Sequence, residues 1–275
     1  MTSKNRWSMA ALSDTGRQRT KNEDRYLCDP VRGLAMVADG IGGHRAGEIA
    51  SSLTVTLLDK LIHQNTQPLL PEQIRQIFIE TNLAIHQLSL SQPQYQGMGS
   101  AVILALFQHQ HVTVAHVGDC RLYRLRGHSL ECLTKDHTLY QDLLNQGHSS
   151  AQAREVVSPH TLSQAMGSAT QINPTIDQFS IHTEDLFLLC SDGLTDMLLD
   201  EEIQTILQSK WIYNMNKNVQ QLVHMANHKG GADNITAILI QAKSNYPFGF
   251  EWFQNTAHCL QHKLFFKRHL HDKRK

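Results

Sequence analysis

Four times along this 275-residue chain, a short apolar run breaks off at an aspartate with glycine close by: Asp39 in VADGIGGH, Asp119 in HVGDCR, Asp192 in LLCSDGLTD and Asp233 in KGGADNIT. Strand ends meet on one rim of a sheet, so these carboxylates can reach a common point. The neighbouring glycines let the backbone approach closely enough for a carbonyl to join them. Glu23 and Asp24, in the charged loop RQRTKNEDR, add two more. A single Asp-Gly after a strand is ordinarily a turn, but four in one chain form a pattern. Such a cluster repels itself unless multivalent cations neutralise it, and an all-oxygen donor set selects hard ions such as Mg²⁺ or Mn²⁺. Two such ions about 3.5–4 Å apart can bridge a water, lower its pKa and shield phosphoryl oxygens during in-line attack. Arg19, just before the acidic pair, offers a planar fork of donors for a phosphate dianion. Residue type and spacing together imply a metal-assisted hydrolase.

The remaining pattern predicts how such a rim is built. Residues 7–13 and 34–38 read as two strands divided by the charged loop. Residues 46–63 place Ile49, Leu53, Leu57, Leu58 and Leu61 at helical spacing, and a second helix opens at Pro71 and carries Ile74, Ile77, Phe78 and Ile85. SAVILALF, HVTVAHVGD and RLYRLR, with polar turns between them, predict an antiparallel meander. Residues 136–160 are polar and helix-prone, with Ser149 three before Gln152 as a capping box, and read as a small surface subdomain. FSIHTEDLFLLCSDG returns to two strands, residues 200–207 and 219–226 to helices, the latter closed by Gly230-Gly231, and 235–241 to a last strand. Strands and helices arrive in blocks. That favours an α+β fold of packed antiparallel sheets with helical outer layers over a doubly wound parallel sheet. The length suits one domain, residues 1–245, followed by a tail, 246–275.

Lys plus Arg balances Asp plus Glu at 25 each, so no overall field draws nucleic acid, and none is expected as a partner. From Tyr246 onward, Lys263, Lys267, Arg268, Lys273, Arg274 and Lys275 face only Glu251 and Asp272, giving the tail +4 and leaving −4 on the body. A basic segment interleaved with Phe248, Phe250, Trp252 and Phe253 either docks on anionic lipid or an acidic partner, or packs its aromatic side on the domain. Cys28, Cys120, Cys132, Cys190 and Cys259 are odd in number and never spaced CxxC. This argues against a disulfide framework and a zinc knuckle and for a cytoplasmic protein, with the tail allowing peripheral contact at the inner face of the membrane. The longest apolar run, residues 101–107, is far below the ~20 residues of a membrane span, and the N-terminus lacks a signal-peptide core. The histidine pairs His109/His111 and His269/His271 have no third ligand nearby in sequence and read as turn and tail residues.

The motifs also stand in the order of a known family. GRQRTKNED resembles G-x-x-R-x-x-N-E-D, VADGIGGHRAGE resembles D-G-x-G-G-H-x-x-G-E, AHVGDCRLYRL resembles V-G-D-S-R-x-Y, and TKDHTL resembles T-x-D-H-S. GMGSAV, LSQAMG, LLCSDGLTD and GGADNITAI complete eight blocks between about residues 7 and 241. The chain thus resembles the metal-dependent (PPM, type 2C) Ser/Thr protein phosphatases in their compact bacterial form. The resemblance implies a β-sandwich flanked by helices on both faces, and hydrolysis of phosphoserine and phosphothreonine on phosphorylated proteins by a metal-bridged hydroxide. It also implies opposition to a cognate Ser/Thr kinase and a monomeric enzyme. Position by position, Asp39 would bridge two central Mn²⁺ or Mg²⁺ ions, with the Gly40 carbonyl on one and Asp192 and Asp233 on the other. Glu23 and Asp24 would hold metal-bound waters. Arg19 would bind the substrate phosphate, and Asp119 with Asp192 would hold a third, weaker ion. Residues 136–160 would be a mobile flap, and His44 and His137 would orient loops near the site. Ile41 stands where many eukaryotic relatives carry a histidine proposed as general acid, so the leaving group must be protonated otherwise. Cys120, Ser100, Ala101 and Gln164 are milder departures. A catalytically weak member serving as a regulatory binding module is the alternative, and the intact carboxylate set argues against it.

Overall fold

Strand periodicity in this chain divides each strand between two cores. In the computed structural model, which describes residues 7–42, 46–65, 68–108, 110–208 and 214–242, β3 (Leu34–Ile41) buries both faces. Leu34, Met36 and Ala38 point to one side, and Ala35 and Val37 to the other. The same alternation runs through β4 (Gly99–Gln108), where Val102, Leu104 and Leu106 oppose Ala101, Ile103, Ala105 and Phe107. Strands covered on both faces read as continuous apolar runs, which is why SAVILALF carries no polar alternation.

Two five-stranded antiparallel sheets result. The first runs β1 (Trp7–Asp14), β10 (Ile235–Ala242), β9 (Leu186–Cys190), β6 (Arg121–Arg126), β7 (Ser129–Cys132). The second runs β2 (Arg25–Asp29), β3, β4, β5 (His111–Val117), β8 (Thr175–Ser180). Between them lies an apolar layer that includes Ile103, Leu189, Ile238 and Ile240. Trp7 and Phe107 meet there at 5.0 Å between ring centroids, and Phe107 meets Phe187 edge-on at 5.2 Å. Helices α1 (Ala46–His63) and α2 (Pro71–Ser91) cover the outer face of the second sheet with Leu58, Ile74, Phe78 and Ile85. Helices α6 (Asp200–Leu207) and α7 (Met215–His228) cover the first with Ile203, Leu207, Leu222 and Ala226. The α-β-β-α layering expected from the block pattern is therefore present.

Several elements differ from the sequence reading. β2 lies inside what reads as a loop, because Arg25, Tyr26 and Leu27 form a half-exposed edge strand with weak apolar contrast. β1 and β3 are consequently in different sheets. The meander breaks after β5: β6 pairs with β7 and β9, and the Gly118–Cys120 turn carries the chain from one sheet to the other. Asp192 opens a short helix, α5 (Asp192–Thr195), rather than a plain turn. Residues 136–160 hold α3 (Leu139–Asn145), capped by Thr138, and α4 (Ser150–Val156), which starts with the expected box: the Ser149 hydroxyl accepts from Gln152 N–H, and the Gln152 side chain accepts from Ser149 N–H. The tail at 246–275, with His269 and His271, lies outside the described residues, as do His44 and His109.

Phe107, on the second sheet, touches two aromatics of the first, Trp7 and Phe187, so Phe107→Ala leaves a void between the sheets and should destabilise the domain by about 3–5 kcal/mol in urea unfolding. Leu199→Ala, at a site 66% exposed, should shift the midpoint little.

Candidate active site

The strand register brings the motif aspartates to one end of the sandwich. In the first sheet Asp14 pairs with Ile235, Ala237 with Cys190, and Cys190 with Arg121, so the end of β1, the start of β10, the end of β9 and the start of β6 coincide. In the second, Ala38 pairs with Arg25, Gly40 with Ser100, and Val102 with Val117. Here the inward-facing positions change from apolar to oxygen-bearing. Beyond Phe187 and Leu189 comes Ser191, before Ile238 comes Thr236, and beyond Ala35 and Val37 comes Asp39. Side chains from the two sheets then meet directly: Ser191 Oγ and Thr236 Oγ1 donate to Asp24 Oδ2 at 2.7 and 2.6 Å.

The Asn234 side-chain amide ties the loop between β1 and β2 to this rim at three points. Asn234 Oδ1 accepts from Glu23 N at 2.7 Å, and Asn234 Nδ2 donates to Thr15 O and Lys21 O at 2.9 and 2.8 Å. Arg17 N and Gln18 N donate to Gly231 O. Gly40 and Gly47 lie back to back, so close that a Cβ on Gly40 would run into the Gly47 carbonyl and one on Gly47 would stand 2.8 Å from both Gly40 O and Glu23 Oε2. Glycine at both positions is what lets α1 approach the end of β3 and sets the Gly40 carbonyl beside Asp39.

The electrostatics are those of a crowded carboxylate site. Burial raises the Asp39 carboxyl well above its usual range, and the charges of Asp24, Asp192 and Asp119 raise it further. Asp39 lies close enough to Asp192 for a proton on the first to hydrogen-bond to the second. Asp192 is raised by burial and by Asp233. Burial pushes Asp24 up to about 7, against the pull of the Thr236 and Ser191 hydroxyls, and pushes Asp119 up to about 8 with help from Asp192 and Asp136. Glu23 is raised by burial.

Arg19, Glu23, Asp24, Asp39, Gly40, Asp119, Asp192 and Asp233 are found at this rim, with one unexpected pairing, while His44 lies outside the described residues. Arg19 Nη2 donates to Asp233 Oδ2 at 2.6 Å, so the predicted phosphate grip rests on a predicted ion ligand. This contact, more than any other, raises the arginine's pKa. The guanidinium remains 56% exposed and free to reorient. Sequence reasoning missed five contributing residues. Asn234 and the Ser191–Thr236 hydroxyl pair fix the acidic loop, and their signal was present in the GGADNIT and CSDG blocks. Asp196 and His160 also stand beside Asp192: His160 Nδ1 is 3.5 Å from Asp196 Oδ2, and one ligand atom from each of the three lies within 4.8 Å of the others. The i,i+4 spacing of Asp192 and Asp196 marks one half of that group; His160 comes from the far end of the flap segment.

These residues fit hard divalent ions. The donor set is oxygen throughout at Asp39, Gly40, Asp192 and Asp233, and buried carboxylate oxygens, Asp24 Oδ1 and Asp192 Oδ1, have no hydrogen-bond partner. A divalent cation would offset such a set of like charges.

Comparison with known proteins agrees with this geometry. Residues 16–239 match the profile of the protein phosphatase 2C family. The serine/threonine phosphatase stp of Listeria monocytogenes is 36% identical over 239 residues, covering 83% of this chain and 93% of that protein. Protein phosphatase PhpP of Streptococcus pneumoniae is 35% identical over 241 residues, 84% of this chain and 96% of its own. Among solved structures, the Mycobacterium tuberculosis serine/threonine phosphatase PstP/Ppp superposes with a TM-score of 0.78 at 31% identity, over 86% of this chain and 99% of that one. The PstP catalytic domain in complex with two manganese ions gives 0.76 at 31% identity, over 86% and 97%. With its sandwich, its rim of carboxylates and these relatives, the chain belongs to the protein phosphatase 2C family of metal-dependent Ser/Thr protein phosphatases.

Proposed function

We propose that residues 1–245 form one catalytic domain that binds two Mn²⁺ or Mg²⁺ ions through Asp39, the Gly40 carbonyl, Asp192 and Asp233, and a third, weaker ion through Asp119 and Asp192. The convergence of raised carboxyls with unpartnered oxygens at Asp24 and Asp192 carries this reading. Bound there, the ions would supply Lewis acidity, lowering the pKa of water toward neutrality and offsetting charge on phosphoryl oxygens. The protein's part is orientation. Asp39, fixed on a strand, would be the carboxylate that holds the ions at the centre of the site. Glu23 and Asp24, held by Asn234, Ser191 and Thr236, would orient waters on the ions. Arg19 would swing from Asp233 to the phosphate dianion when phosphoserine or phosphothreonine enters, releasing a carboxylate oxygen as it does so.

The same reading makes phosphorylated proteins the substrates and a cognate Ser/Thr kinase the opposing enzyme, acting in the cytoplasm as a monomer. The unpaired thiols of Cys28, Cys120, Cys132 and Cys190 support that compartment. Among the described residues no helix is long and apolar enough to cross a membrane. The composition of residues 246–275 supports their docking on anionic lipid at the inner face of the membrane, or on an acidic partner.

Hydrolysis of a phosphothreonine peptide should require added Mn²⁺ or Mg²⁺ and stop with EDTA. Asp39→Asn and Asp192→Asn should each cut turnover by more than the ~10–100-fold typical of losing an outer-shell partner, while circular dichroism stays unchanged; near-normal rates in either variant would remove the ion assignment. Removing metal should also make stability depend on pH. Because the folded carboxyls titrate above their unfolded values, the folded state holds more protons, and stability falls as pH rises from about 4 toward the values of about 7 and about 8 at Asp24 and Asp119. In EDTA the thermal midpoint should therefore drop between pH 5 and 8, and Mn²⁺ should restore it. Asp39→Asn, with one charge fewer, should raise the EDTA midpoint at pH 8 and blunt the Mn²⁺ shift.

A further inference from the structure

Behind the Asp119 turn lies a pair of stacked imidazoles, His116 and His137, with ring centroids 4.6 Å apart and planes 18° from parallel. His137 stands at a junction of three segments. Its peptide N–H donates to Gly118 O at 2.9 Å, its ring Nδ1 faces Gly118 N at 3.3 Å, and its carbonyl accepts from Ser163 N at 2.9 Å. Its Nε2 meets Thr175 Oγ1 on β8 at 2.9 Å. The tautomer follows from these partners: an amide N–H only donates, so Nδ1 is bare and the proton sits on Nε2, donated to Thr175. His116 likewise sets Nε2 against Lys135 O at 2.9 Å, a contact that requires a donor. Burial lowers the pKa of both rings, that of His137 to about 4 with the neighbouring His116 adding to the effect, so the stack is neutral at physiological pH.

We propose that His137 is a positioning residue that fastens the Asp119 turn to both ends of the flap, so that the third ion site and the seating of the flap are set together; this rests on Asp119 being an ion ligand, as proposed above. On its other side the turn is already confined, since Gly118 has φ +101° and a Cβ there would run into Ala101. His137 closes the remaining side. From it the flap departs and returns: Thr138 caps α3 and bridges to Leu162, Leu139 N donates to Thr161 O at 2.8 Å, and the Ser163 bond to His137 ends the excursion. Holding the chain together here does not depend on this ring. Arg121 forks onto Asp136 at 2.9 and 2.6 Å, and Thr134 Oγ1 accepts from Leu122 N at 3.1 Å, so residues 134–136 stay on β6 without it. What the ring alone adds is an acceptor for Gly118 N–H, the amide through which the chain enters the Asp119 turn.

The test uses the full chain carrying His137→Ala, His137→Asn, His137→Gln or Asp119→Asn. Mn²⁺ binding is read by isothermal titration calorimetry, alongside thermal midpoints and kcat and KM on a phosphothreonine peptide. His137→Ala should weaken the weakest-bound Mn²⁺ by about tenfold, the lower end for loss of an outer-shell partner, and leave the tighter ions as they were. Asn places a carbonyl oxygen where Nδ1 accepts from Gly118 and should recover most of that loss. Gln reaches toward Thr175 without that acceptor and should not. If Asp119→Asn loses the weak ion but His137→Ala binds like the parent, the fastening is refuted and the ion assignment stands. If Asp119→Asn keeps every ion, the assignment fails and takes the inference with it. Should His137→Ala fail to fold, the Asn and Gln pair decides. Equal loss of all ions in both, with lowered midpoints, would reduce His137 to a structural residue and overturn the proposal.

Discussion

Mutual repulsion among Asp24, Asp39, Asp119, Asp192 and Asp233 is the constraint around which this domain is arranged. A folded chain gains nothing by collecting like charges where burial also penalises them, and burial, with the neighbouring charges adding to it, raises the carboxyls of Asp24, Asp39, Asp119 and Asp192. The rest of the structure supplies what is needed to keep them there. The two sheets provide a rigid apolar floor at Phe187, Leu189, Ile238 and Val37, and the same alternation then delivers Ser191, Thr236 and Asp39 one step further along each strand. A site on strand ends is positioned by the register of ten strands, so it shifts little unless the sandwich itself shifts.

Neutral groups do much of the holding. Asn234 ties the acidic loop to the rim through three hydrogen bonds, and two hydroxyls from the opposite sheet satisfy one oxygen of Asp24 while leaving its other oxygen open. Arg19 offsets part of the charge by resting on Asp233. Its exposure leaves it room to turn toward a phosphate, the role proposed for it above. The cluster is thus stable enough to form and still incomplete, which is the property a cation-dependent hydrolase requires.

Much of this was legible in the sequence, because the signals were local. Asp39, Asp119, Asp192 and Asp233 each end an apolar run beside glycine, and α1, α2, α6 and α7 follow directly from helical spacing. What escaped was set by pairing across long stretches of chain. Tyr26 and Leu27 lack the contrast that marks a strand, and β2 exists because β3 offers it an edge. RLYRLR follows HVTVAHV closely enough to suggest a meander, yet Leu122 packs with Phe187 and Leu189 between the sheets, and β6 goes to β9 instead. His160 comes to Asp192 and Asp196 through the course of the flap, which no spacing rule encodes. The docking of Arg19 on Asp233 likewise joins residues 214 apart in sequence.

The central claim is that these carboxylates are assembled to hold ions between Asp39 and Asp192. Anomalous diffraction from crystals grown with Mn²⁺ tests it most directly. The account predicts two strong anomalous peaks flanking Asp39, one touching the Gly40 carbonyl and the other touching Asp192 and Asp233. Peaks confined to His160 and Asp196, or none within coordination distance of Asp39, would contradict it.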